Sequence, residues 1–155
     1  MKRRTLLQAA LVGAILPLAS LGLHAAAKPE IVVYKSGGCG CCKDWIAHLE
    51  KNGFAVVAHD VPGTGPYRER FGVPRDMASC HTAVIEGYAI EGHVPADEIK
   101  RLLAEKPKVR GLSVPGMPVG SPGMEVEGSR RDAFDVVLFD DAGGRKVYRH
   151  YEARQ

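Results

Sequence analysis

Beyond its first 27 residues this chain has no surplus of charge of either sign. The 155 residues carry 21 Lys and Arg against 18 Asp and Glu, a formal net charge of +3. The whole excess is Lys2, Arg3 and Arg4, in a 27-residue segment without an acidic side chain. The 128 residues that follow hold 18 basic and 18 acidic groups and are formally neutral. A neutral domain lacks the basic footprint of a nucleic-acid binder and the net charge of a disordered acidic tail. It also has no large surface field with which to attract a cation, so metal capture would have to rest on local side-chain chemistry. No internal repeat is present.

The three cations are followed by an uncharged, mostly apolar run from Thr5 to Leu23 and then by the small residues Ala25-Ala26-Ala27. Basic segment, apolar segment and small-residue cleavage site is the order of a secretory signal. About 18 apolar residues can just span a bilayer, so an uncleaved anchor is the alternative. Pro17 and Gly22 interrupt the run and favour cleavage. Residues 1–27 are therefore expected to be a signal peptide, and residues 28–155 a single exported domain with no membrane span, working in the periplasm. Arg3-Arg4-Thr5-Leu6-Leu7 resembles a twin-arginine signal without its full consensus, which leaves Sec and Tat export both open.

Glu30 to Lys35 is a short β-branched apolar run, the mark of a buried strand. Ser36-Gly37-Gly38-Cys39-Gly40 reads as a flexible turn, and from Cys41 or Cys42 the pattern becomes helical, with Trp45, Ile46 and Leu49 as an apolar stripe and Asn52-Gly53 as a stop. A second strand is expected from Phe54 to Val61 and a short helix over Tyr67 to Phe71. Thr82 to Ile85 and Tyr88 to Glu91 flank Glu86-Gly87 as a hairpin. Pro95 opens a helix with Asp97 and Glu98 in its first turn and Ile99, Leu102 and Leu103 on one face, and Pro107 closes it. Residues 111–128 contain five Gly and three Pro, too many for regular structure and too long for a routine connection, which points to a functional loop. Asp135 to Phe139 and Lys146 to Tyr151 form a closing hairpin. Strand, helix, strand, helix, hairpin, helix, with cysteines at the first strand-to-helix turn, is the order of a thioredoxin-like α/β domain with a mixed sheet.

Four cysteines in an exported domain are by default two disulfides. Their spacing resists that default: Cys39, Cys41 and Cys42 lie within four residues and only Cys80 is distant. A bond between adjacent Cys41 and Cys42 demands unusual backbone geometry. Cys39 and Cys42 have the C-x-x-C spacing of a dithiol exchanger, but Cys41 between them is a sulfur such an exchanger does not need. At a helix N-terminus thiols ionise more readily, and three thiolates on one turn repel one another. A bound cation relieves that repulsion, and soft thiolates select Cu(I), Zn(II) or iron–sulfur clusters. Cys80-His81-Thr82 stands where thioredoxin-like proteins usually carry a cis-proline beside the dithiol. That exchange removes a substrate-docking feature and adds a fourth sulfur.

The Cys-Gly-Cys-Cys turn after Val-Val-Tyr-Lys, the Ser79-Cys80-His81-Thr82 segment, and the Gly-Met-Pro-Val-Gly-Ser-Pro-Gly-Met-Glu loop together resemble the CopG-type periplasmic copper-resistance family, long catalogued as a domain of unknown function, DUF411. The resemblance covers nearly all of residues 29–150. It implies an exported thioredoxin-like domain whose cysteines bridge a polynuclear copper cluster, with a role in Cu(I)/Cu(II) handling. Carried over by motif, the ligands are Cys39, Cys41, Cys42 and Cys80. Cu(I) accepts two or three sulfurs, so bridging thiolates can hold several ions near neutrality. A single tetrahedral Zn(II) is the weaker reading, because structural zinc sites usually use two separated cysteine pairs.

His81 is a secondary ligand candidate, with a solvent-facing strand-edge histidine as the competing reading. Met117 and Met124 are soft thioethers suited to Cu(I), or loop residues packing over the core. His48 reads as surface, Trp45 as core, and His59, His93 and His150 have no spacing that singles them out. The expected function is copper binding for resistance or homeostasis, in contact with other periplasmic copper-handling proteins and with copper oxidoreductase activity as an open extension. A thiol-disulfide oxidoreductase using Cys39 and Cys42, and a disulfide-stapled binding module, are the alternatives.

Overall fold

The computed structural model describes residues 27–154. Nearly all of the expected signal segment lies outside them. Seven strands form one mixed sheet in the order β2-β1-β3-β4-β5-β6-β7. In chain order the elements are β1 (Glu30–Lys35), α1 (Gly40–Lys51), β2 (Ala55–Asp60), α2 (Gly65–Arg70), a 3-10 turn (Arg75–Met77), β3 (His81–Ile85), β4 (Tyr88–Glu91), α3 (Ala96–Glu105), β5 (Gly111–Ser113), β6 (Phe134–Phe139) and β7 (Arg145–Tyr151). No described helix is long and apolar enough to cross a membrane.

Alternation sets the layers. Along β1, Ile31, Val33 and Lys35 are buried while Val32 and Tyr34 on the opposite face are partly covered. Helix α1 buries Cys42, Trp45 and Leu49, and α3 buries Ala96, Ile99 and Leu102. All but Cys42 join Ile31, Val33, Ile85, Ile90 and Val136 in the main core. Val73, Met77, Ala89 and Phe139 form a smaller core under α2 and the 3-10 turn. Ala89 and Ile90, neighbours on β4, divide between the two, as a period of two requires.

The expected element order holds, with β1 parallel to β2 and antiparallel to β3. The β3–β4 turn has Glu86 and Gly87 both at positive φ (45° and 85°), as a two-residue type I′ hairpin demands. One expectation needs correction. Gly111, assigned from sequence to an irregular loop, opens strand β5, which pairs parallel to β4. A Cβ at Gly111 would sit 1.9 Å from the Ala89 carbonyl oxygen, so here glycine serves close strand packing rather than a turn. The loop proper begins after β5.

Candidate metal centre

Topology brings the two cysteine segments together. β1 and β3 run antiparallel with Lys35 opposite His81. The residues just past that pair, Ser36 at the start of the cysteine turn and Cys80, therefore lie at the same end of the sheet. Cys39 caps α1 with extended backbone (φ −75°, ψ 99°), and no side chain bonds the first free N–H groups of the helix. The four cysteine sulfurs all lie within 4.8 Å of one another. Cys39 and Cys42 are joined as a disulfide, and Cys41 and Cys80 are free thiols. Cys41 Sγ is 3.5 Å from Cys39 Sγ, and Cys80 Sγ is 3.6 Å from Cys42 Sγ. Cys42 is fully buried, whereas the other three are half-buried and reachable.

Two imidazoles complete the cluster. Cys80 Sγ lies 3.2 Å from His81 Nδ1 and 3.0 Å from His93 Nε2, and these three side chains form a second set of donor atoms within 4.8 Å. His81 is fully buried, not solvent-facing, because β3 is an interior strand between β1 and β4. Its ring packs on Trp45 at 4.2 Å between centroids, and its Nε2 has no hydrogen-bond partner. His93, which no spacing singled out, is equally buried. A signal for it exists in the hairpin register: Thr82 pairs with Glu91, and two residues further out, past the ends of both strands, lie Cys80 and His93.

The hydrogen-bond pattern assigns the protons. The Pro122 carbonyl can only accept, so His93 Nδ1, 2.8 Å away, carries a hydrogen and donates. Its Nε2 is then a bare lone pair facing the Cys80 S–H. Burial holds the His93 pKa below its ordinary value, and burial together with His93 lowers His81 to about 3. Both rings are neutral at neutral pH, the form in which imidazole ligates metal. The Cys80 thiol is pushed up to about 12, by burial first and by Cys41 second.

The Gly/Pro/Met loop closes over this cluster. Beside the Pro122–His93 bond, Gly116 N donates to Ala78 O at 3.1 Å, and Ser79 Oγ donates to Gly116 O. Gly123 packs on α1 so closely that a Cβ there would lie 2.8 Å from Cys41 O and 2.6 Å from Trp45 N. Met117 is 54 % exposed, and Met124 is half-buried with its backbone in a turn with Gly120 and Ser121. Trp45 is core, as expected, and donates Nε1–H to Val94 O at 2.9 Å. Half-buried His48 accepts the Ala96 N–H at 3.1 Å at the start of α3. His59 stacks on Tyr34 and His150 bonds Asp135, both exposed.

Fold and site together define a small mixed α/β protein whose sheet end gathers four sulfurs and two neutral imidazoles, a donor set fit for a soft or borderline metal ion. Comparison with known proteins places it more closely. The chain belongs to the CopG family of copper-resistance proteins: it is 48% and 47% identical to two solved structures described as copper resistance protein copG, form 2 and form 1. Each superposes with a TM-score of 0.76, spanning 80% and 81% of this chain and 98% of theirs. Residues 77–124 match the family described as "Protein of unknown function, DUF411". That stretch includes Cys80, His81, His93 and the loop through Met124. No curated protein matches.

Proposed function

We propose that this is an exported, periplasmic copper-binding protein of copper resistance or homeostasis. It takes Cu(I) into a cysteine-bridged polynuclear site formed by Cys39, Cys41, Cys42 and Cys80. The observation that carries the reading is the gathering of all four sulfurs within 4.8 Å of one another at the end of β1, in a chain 48% identical to a copper resistance protein. We read the β2-β1-β3-β4 part of the sheet, with the cysteine turn at the end of β1, as the thioredoxin-like unit. His81 and His93 supply neutral nitrogen donors at the edge of the cluster, and Met117 and Met124 lie in the loop that covers it.

The disulfide gives the redox extension a definite form. Oxidation of the Cys39 and Cys42 thiols to their disulfide releases two electrons and two protons, which balances reduction of two Cu(II) to two Cu(I). Cys41 and Cys80 then remain as sulfur ligands. Opening the disulfide with an external reductant restores four thiols. A soft cation arriving at Cys80 displaces a proton from a thiol that would otherwise keep it. The proton leaves to solvent, because burial disfavours a cationic His93 and keeps its Nε2 free as a donor.

The same disulfide favours a second reading, thiol-disulfide exchange, since half-buried Cys39 sits at a helix N-terminus ahead of buried Cys42. Anaerobic Cu(I) titration of the reduced mature protein separates the two. Uptake of several equivalents, reduced when Cys41 or Cys80 becomes Ser, is the expected result. No tight binding, together with disulfide reductase activity that needs only Cys39 and Cys42, would refute the copper reading. Uptake of one Zn(II) in preference to copper would refute it as well.

A further inference from the structure

Cys80 is held in place by an ion pair between half-buried Arg68 and buried Glu91, which the copper chemistry does not itself use. Glu91, on β4, is fully buried and accepts three hydrogen bonds: from Arg68 Nε at 2.8 Å, from the Ser79 backbone N–H at 2.7 Å and from Thr82 Oγ1 at 2.6 Å. Arg68, on α2, donates a second N–H to the Ser79 carbonyl oxygen at 3.0 Å. Both backbone polar groups of Ser79, the residue before Cys80, are therefore gripped by one Arg–Glu pair, and the pair's third bond grips Thr82 two residues after Cys80. On the remaining side Gly92 approaches so closely that a Cβ there would lie 2.5 Å from Ser79 Oγ. His93, two residues beyond Glu91 and past the end of β4, touches the sulfur itself.

Stability does not explain such a pair. An ion pair with a buried carboxylate is often replaceable by apolar side chains of similar volume with little loss of stability, and the exposed part of Arg68 weakens the attraction further. What an apolar pair cannot supply is directional bonds to the N–H and C=O of one residue. We propose that Arg68 and Glu91 are positioning residues that fix the backbone of Ser79 and so set the Cys80 sulfur against the cysteines of the α1 turn. The proposal rests on the reading of Cys80 as a metal-binding sulfur. It assigns to α2, which contributes no ligand candidate, the task of carrying the arginine.

The test measures sulfur placement without metal and copper uptake separately. In the mature chain with Cys39 and Cys42 changed to Ser, the equilibrium of the Cys41–Cys80 disulfide against glutathione gives the effective molarity of the two thiols. In the same background Arg68→Met combined with Glu91→Leu replaces the pair by apolar groups. The expected result is a native far-UV spectrum with an effective molarity lowered about tenfold or more. Glu91→Gln, which keeps an acceptor for the Ser79 N–H, stays within about threefold of the parent. A folded double variant with unchanged effective molarity overturns the proposal. Should the double variant fail to fold, Arg68→Lys decides, since it keeps the charge beside Glu91 but loses the second N–H to Ser79: a measurable fall supports the proposal and no fall overturns it. Cu(I) titration of the four-cysteine protein and its Arg68→Met/Glu91→Leu form runs alongside. If the parent takes up no copper while the effective molarity falls as expected, the positioning role stands and the copper reading fails.

Discussion

Gly123 is the point where the covering loop meets the cysteine helix, and replacing it by Ala makes the contact measurable. A Cβ at this position would lie 2.6 Å from Trp45 N, 2.8 Å from Cys41 O and 3.0 Å from Trp45 Cα, all main-chain atoms of α1. The residue also sits at φ +83°, where a side chain adds about 1–2 kcal/mol. Overpacking against rigid neighbours adds about 1–3 kcal/mol. The strain of keeping the loop closed is thus about 2–5 kcal/mol. Lifting Pro122 and Gly123 off the helix releases it, and the bond lost is His93 Nδ1 to Pro122 O, at 2.8 Å, worth about 0.5–1.5 kcal/mol. Opening is the cheaper outcome, so the domain stays folded with an opened site. Metal-free Gly123→Ala is expected to lose about 0.5–1.5 kcal/mol in urea titration and to alkylate at Cys80 several-fold faster than the parent. Gly128→Ala is the control: its φ is +73° but nothing lies within 4 Å of the added carbon, so it bears the backbone term alone and leaves Cys80 reactivity unchanged. Equal stability and equal Cys80 alkylation in Gly123→Ala and the parent would refute the closed loop.

Three further outcomes follow from single contacts. Trp45→Phe leaves the Val94 carbonyl without its 2.9 Å donor in a fully buried site; a loss of about 2–4 kcal/mol is expected by urea titration, and a change below half a kcal/mol would contradict the assignment. His93→Ala removes both the acceptor of the Cys80 S–H and the anchor of Pro122; Cu(I) affinity by competition titration should fall about 10–100-fold with secondary structure intact. Burial lowers the His48 pKa from 6.5 against the opposing pull of Glu125 and Asp97. The unfolded chain therefore takes up a proton first as pH falls, and His48 contributes stability that is present above pH 6.5 and lost below it. His48→Gln should flatten the decline of Tm in the pH unit below 6.5, and an unaltered slope would show that the Ala96 N–H bond does not depend on the neutral ring.

What the sequence made legible and what it hid divide by range of interaction. β1 from Glu30 to Lys35, the hairpin at Glu86-Gly87 and α3 with its buried Ile99 and Leu102 follow from local periodicity and turn chemistry, and the structure has them within a residue or two. β5 was hidden because Gly111 reads locally as a breaker, whereas it is there because a Cβ would collide with the Ala89 carbonyl on the neighbouring strand. The cysteines were legible as a cluster since three of them share one turn. His81 left two readings open, solvent or sulfur, because the burial of its strand depends on β1 and β4 closing over both edges. Arg68 and Glu91 carry no local signal at all: 23 residues separate them, and only the packing of α2 against the β3–β4 hairpin brings them to Ser79.

His93 is the more instructive miss, because the means of finding it lay in a feature read correctly. A two-residue turn at Glu86-Gly87 pairs Ile85 with Tyr88, and from that one pair every later partner follows by stepping outward on both strands. The step that ends the ladder at Thr82 and Glu91 leads, two residues on, to Cys80 and His93, whose sulfur and nitrogen lie 3.0 Å apart. A hairpin prediction thus carries a contact prediction for the residues beyond its last hydrogen-bonded pair. β4 ends at Glu91, and Gly92 at φ +71° turns the chain, so Glu91 meets Arg68 of α2 while His93 meets Cys80 and His81, whose ring packs on Trp45 of α1. The end of β4 and the turn that follows it therefore deliver both the carboxylate that holds the backbone before Cys80 and the imidazole that meets its thiol. The Glu86-Gly87 turn fixes the β3–β4 register, and so, although distant from the sulfurs, it helps set which residues of the two strand ends come together beside Cys80.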